Sequence, residues 1–62
     1  MLFETREQKA ERLYSLISSG NKVSRWEVMP VRDILLIMAK EKGNPEALDQ
    51  IRFLIDEAKS SL

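Results

Sequence analysis

The sequence predicts an all-α protein, a small three-helix bundle with an extra short helical turn before the central helix. Three observations carry this. Apolar residues recur at three- and four-residue spacing along each long segment, and none of the chain alternates as a half-buried strand would. Two capping patterns, Thr5-Arg6-Glu7-Gln8 and Ser24-Arg25-Trp26-Glu27, mark helix starts. Gly20-Asn21 and Gly43-Asn44-Pro45 mark helix stops. With no linker or repeat, residues 1–62 form a single domain.

The first helix starts at Thr5, whose hydroxyl accepts from the third helical N–H while Gln8 reaches back. Ala10, Leu13, Leu16 and Ile17 share one face of it, and Phe3 extends that face upstream. Gly20 and Asn21 end the helix, since both residue types tolerate the left-handed conformation of a C-cap. Ser24 and Glu27 open one short turn. Pro30 ends it, because it lacks an N–H and pushes Met29 out of the α region. Pro30 also starts the central helix, which runs to Lys42. Gly43 then closes that helix, Asn44 caps the last one and Pro45 is its first residue, so the last two helices fold into an antiparallel hairpin. Ala47, Leu48, Ile51, Leu54, Ile55, Ala58 and Leu62 make one stripe along the last helix.

A chain of 62 residues is hard to stabilise on its own core. It contains no Cys and no His, which removes disulfides and the usual structural zinc ligands. Helix packing and association remain as sources of stability. The same absence removes the imidazole base and every Ser-His or Cys-His arrangement. The two glycines are isolated helix stops, so there is no phosphate loop. Glu4, Glu7 and Glu11 lie along one side of the first helix, but Arg6, Lys9 and Arg12 interleave with them and make a solvated charged face. Arg52 and Asp56 read as an ordinary i,i+4 pair. The expectation is a protein without catalytic activity, cofactor or metal. The N-terminus turns charged too early for a secretory segment, and the apolar run ILLIMA is too short to span a bilayer. A cytoplasmic location is expected.

Two apolar residues fall off the core stripes. Val31, Ile34, Leu35, Ile37, Met38 and Ala39 cover an arc of about 200° on the central helix, with Leu36 outside it. Phe53 sits nearly opposite Ile51 on the last helix. A helix that is apolar nearly all round is normally buried, and this chain has little material to surround one. The expected function is therefore protein binding, as a small regulator, inhibitor or assembly factor. The partner is a second copy or a larger protein. Leu36 and Phe53 are the expected centre of the interface, with Trp26 and Met29 at its rim, since aromatics and Met are enriched at interfaces. For Trp26, the only tryptophan, core packing toward Leu13 and Ile17 is the first expectation, an interface anchor the second and nucleic-acid stacking the last.

An alternative is nucleic-acid binding. The order Gly20, Val23, Ser24, Glu27 between two helices resembles the opening of the second helix in small helix-turn-helix domains, over residues 13–43. The resemblance implies a nucleic-acid contact surface, and Lys22, Arg25 and Arg32 are the cations placed to serve it. The departure is at Met29-Pro30, which leaves almost none of the three- or four-residue turn such a motif needs. Residues 20–42 carry five cations against three anions, a net of +2, while residues 43–62 carry two against four, a net of −2. The whole chain is neutral, which does not favour a dedicated polyanion binder.

Overall fold

A computed structural model describes residues 3–62. Every regular element among them is helical: α1 (Arg6–Ser18), α2 (Arg25–Val28), a 3₁₀ turn (Met29–Val31), α3 (Arg32–Glu41) and α4 (Pro45–Ser60). The protein is a small helical bundle whose central helix is preceded by a short one.

The caps explain the boundaries. At α1 the box is complete: the Gln8 N–H donates to Thr5 Oγ1 at 3.0 Å, and the Thr5 N–H donates to Gln8 Oε1 at 2.9 Å. α1 ends in a Schellman motif. The Gly20 N–H donates to Ile17 O at 3.1 Å and the Asn21 N–H to Leu16 O at 2.9 Å. Only Gly20 takes the left-handed conformation there, with φ of 80°; Asn21 does not share it. α3 ends the same way at Gly43, with φ of 62°, and the Asn44 N–H donates to Ala39 O at 3.0 Å. Asn44 also starts α4, its side chain accepting from the Ala47 N–H at 3.1 Å. Its side-chain amide donates to the Tyr14 hydroxyl at 3.2 Å. One residue thus closes α3, opens α4 and ties both to α1.

The segment between α2 and α3 departs from expectation. The second box is half formed: Ser24 Oγ accepts from the Trp26 N–H at 3.2 Å, and the Glu27 side chain turns toward Arg12 instead, at 3.9 Å. Met29 stays in the α region, with φ −54° and ψ −46°, although Pro30 follows it. Its N–H is already bonded to Arg25 O, and that bond outweighs the modest clash with the proline ring. The missing Pro30 N–H is absorbed by tightening to a 3₁₀ turn, in which the Arg32 N–H reaches Met29 O. The irregularity moves on to Val31, with φ −125° and ψ 20°. α3 therefore starts at Arg32, two residues later than the proline suggests.

Two cross-links fix the topology. The Arg6 guanidinium donates to Pro30 O through Nε at 3.2 Å and Nη2 at 2.9 Å, and Nη2 also meets Asp33 Oδ1 at 2.6 Å. The beginnings of α1 and α3 thus lie together, while Tyr14 and Asn44 join the ends of the same two helices. α1 and α3 run parallel and in contact, and α4 runs back antiparallel, packed against both. The chain returns from the end of α1 to the start of α3 through residues 21–31, which lay α2 against α4.

The core is aliphatic and alanine-rich. Ala10, Leu13, Tyr14 and Ile17 enter from α1 and Val28 from α2. Val31, Leu35 and Ala39 enter from the central segment, and Ala47, Ile51, Leu54, Ile55 and Ala58 from α4. Leu13, Leu35, Ile51, Val28 and Val31 are the large side chains fully removed from water, each stabilising by about 1.5–3 kcal/mol. The alanines let the backbones approach. No polar or charged residue is buried among the described residues.

The wide arc on α3 has the expected width but not the expected orientation. It is centred on Leu35 and runs from Ile34 to Leu36, both half-buried against the core. Ile37 points out and is 55% exposed. The arc is rotated by about 60° relative to the sequence reading, because α1 and α4 straddle α3 and both flanks of Leu35 find partners. Phe3 and Leu62, expected to extend the core stripes, are exposed beyond the helix ends.

Candidate interaction surface

Of the four residues expected at an interface, two face solvent and two lean inward. Trp26 is 49% and Phe53 54% exposed. Met29 and Leu36 are half-buried and pack on the core. Trp26 is not a core residue; Val28 fills that role for α2. Residues two apart on a helix point about 200° apart, so Val28 turned inward holds Trp26 outward. The same offset separates Phe53 from the buried Ile51.

Arg25 joins the two aromatics. Its guanidinium carbon lies 5.1 Å from the centroid of the Trp26 ring, in cation–π range. It also lines a shallow hollow of about 300 Å³ with Phe53, Asp56, Glu57, Ser60 and Ser61. Arg25 Nε is shielded from water and has no hydrogen-bond partner among the described residues. Asp56 and Glu57 share its hollow but form no ion pair with it. The surface thus holds two aromatic faces, one desolvated donor without an acceptor and two free carboxylates.

Comparison with protein-family models, curated proteins and solved structures finds no match.

The three cations of the nucleic-acid alternative each have their own surroundings. Lys22 lines a different hollow, of about 500 Å³, beside Glu46 and Gln50 at the start of α4. Arg25 is stacked on Trp26. Arg32 Nη1 donates to Met29 O at 2.7 Å and so serves the backbone at the joint. There is no loop between α2 and α3, since a 3₁₀ turn joins them directly.

Two arginines, Arg6 and Arg12, fasten the surface of the fold. Arg12 grips Glu4 with both arms, Nε to Oε2 at 2.8 Å and Nη2 to Oε1 at 3.1 Å. That hydrogen-bonded pair holds the Glu4 carboxyl below its ordinary range and raises Arg12. For Asp33, desolvation is the largest single influence and pushes upward. The Ile34 N–H and Arg6 together outweigh it, and the carboxyl lies below its ordinary range. Arg52 and Asp56 form no ion pair. Among the described residues no three carboxylates come together as a metal-ligand set, and no helix is long and apolar enough to cross a membrane.

Sequence reasoning missed Val28 and Tyr14 and placed Ile37 on the buried arc, where it is in fact exposed. Tyr14 was legible, since it falls four residues after Ala10 and three before Ile17 on the same face.

Proposed function

We propose that this chain acts by binding a larger protein through the α2–α4 face, and that Trp26, Phe53 and Arg25 make the contact. The observation that carries the reading is the pair of half-exposed aromatic rings, Trp26 and Phe53, joined by the Arg25 guanidinium, which stacks on the first and shares a hollow with the second. A partner that covers both rings removes their apolar surface from water and can offer an oxygen to the outer edge of the guanidinium. Trp and Arg are the residues most often found at the energetic centre of interfaces. The expected partner therefore offers an apolar socket with an acceptor at its edge and cationic groups for Asp56 and Glu57. Charge around the rim sets approach and register more than affinity.

The test is differential capture from native lysate with the immobilised chain and three variants. Trp26→Ala and Phe53→Ala should each lose a captured protein that wild type and Ile37→Ser retain, with unchanged circular dichroism. The partner so identified should shift the emission of Trp26 to shorter wavelength on mixing. Capture that is indifferent to both aromatic substitutions would sink the proposal.

A further inference from the structure

On the other flank of α3 an open groove of about 530 Å³ runs between α1 and α3. Its floor is apolar, made by Ile34, Met38 and the ring of Tyr14, and its ends carry opposite charge. Glu7 stands in the first turn of α1 and Glu11 one turn further along it, and Lys42 stands where α3 finishes. The Lys42 ammonium lies 5.7 Å from the centroid of the Tyr14 ring. None of these three charges forms an ion pair among the described residues. Ile37, one helical turn from Ile34 and next to Met38 in sequence, is exposed.

We propose that a second copy of this chain covers this groove, in an antiparallel dimer whose two-fold axis passes close to Ile37. The argument is charge complementarity. A two-fold interface uses the same patch twice, so the patch must complement itself when reversed. Acid at one end, base at the other and an apolar middle satisfy that requirement. Reversal sets Lys42 of each copy over Glu7 and Glu11 of the other. It also lays the two α3 helices antiparallel, so that each Ile37 enters the other copy's apolar floor. A foreign helix has no need of this end-to-end polarity. The inference does not rest on the α2–α4 face, which stays uncovered on both copies.

The test is sedimentation equilibrium of the full chain from micromolar to about millimolar concentration at low salt. Wild type should dimerise. Ile37→Asp should weaken the dimer by about tenfold or more with unchanged circular dichroism, since Ile37 lies outside the core. Lys42→Glu should also weaken it, and adding Glu7→Lys and Glu11→Lys should restore it. The chain has no cysteine, so Ile37→Cys with a short bis-maleimide should link two copies. A monomer at every concentration would overturn the proposal. So would failure of the charge reversal to restore dimerisation, or a dimer that Phe53→Ser abolishes and Ile37→Asp spares.

Discussion

Removing the Asn44 side chain should be among the most damaging polar substitutions in this protein. The carboxamide has two jobs. Its oxygen accepts from the Ala47 N–H at 3.1 Å, satisfying one of the donors at the start of α4. Losing a cap of this kind costs about 1 kcal/mol, within a range of about 0.5–2. Its amide donates to the Tyr14 hydroxyl at 3.2 Å in a partly buried setting, and a neutral hydrogen bond contributes about 0.5–1.5 kcal/mol. Asn44→Ala should therefore cost about 2 kcal/mol. In a domain this small that lowers the melting temperature by about 8–16 °C. The Ala39–Asn44 backbone bond survives the change, so the hairpin keeps its geometry. The assay is urea unfolding followed by circular dichroism, where the midpoint should fall and the slope stay constant. Tyr14→Phe alone should cost about 1 kcal/mol or less, and the cycle with Asn44→Ala should show coupling of about the same size. Asn44→Asp should stay near wild type at neutral pH. The carboxylate caps as well as the amide does, and the tyrosine hydroxyl can turn to donate to it. A loss below about 0.5 kcal/mol for Asn44→Ala, or strict additivity with Tyr14→Phe, would refute the dual role.

Other outcomes follow from the same structure. Leu35→Ala removes a fully buried side chain at the centre of α3 and should cost about 2–5 kcal/mol, enough to leave much of this small domain unfolded at 25 °C by circular dichroism. Gly43→Ala should cost about 1 kcal/mol in urea unfolding; an added Cβ meets nothing within 4 Å, so the loss is conformational, set by the φ of 62°. The Glu4 and Asp33 carboxyls are depressed in the folded state, so their stabilisation is complete above the ordinary carboxylate range and is lost as pH falls through the depressed values. Urea midpoints should drop as pH falls below the ordinary carboxylate range, and the double variant Glu4→Gln/Asp33→Asn should flatten that drop. Leu36→Ser should destabilise clearly while Ile37→Ser stays within about 0.5 kcal/mol of wild type; the reverse order would mean that α3 is rotated from the orientation described.

Helix starts and stops were legible because caps are local chemistry. Thr5, Gly20, Gly43 and Asn44 each act on backbone groups within five residues, and the sequence carries all the information needed. Met29 was misjudged because the preference of a residue before proline is a bias of local sterics, and one hydrogen bond to Arg25 reverses it. The orientation of α3 was not legible at all. Its apolar residues define the width of a buried arc, but the direction of that arc depends on where α1 and α4 lie. That in turn depends on the return path through residues 21–31, which no local pattern encodes. Leu36 and Ile37 exchange roles for this reason alone. Phe53 was read as lying off the core stripe, and it is exposed, because the buried residues of α4, Ala47, Ile51, Leu54, Ile55 and Ala58, fall in one narrow stripe with a single interpretation.

The proposed interaction surface and the fold draw on different residues. Val28 and Ile51 are fully buried aliphatics, and each lies two positions from an outward aromatic, Trp26 and Phe53 respectively. At about 100° per residue the helix itself enforces that division, so the aromatic cannot turn inward without expelling the aliphatic. Burying Trp26 in place of Val28 would also force a much larger ring into a core whose helices approach through Ala10, Ala39, Ala47 and Ala58, where excess volume is strongly destabilising. Truncating Trp26 or Phe53 should accordingly leave unfolding almost unchanged while abolishing partner capture. Truncating Val28 or Ile51 should unfold the chain and lose binding only as a consequence. That separation makes the binding proposal testable in a protein too small to tolerate damage to its core.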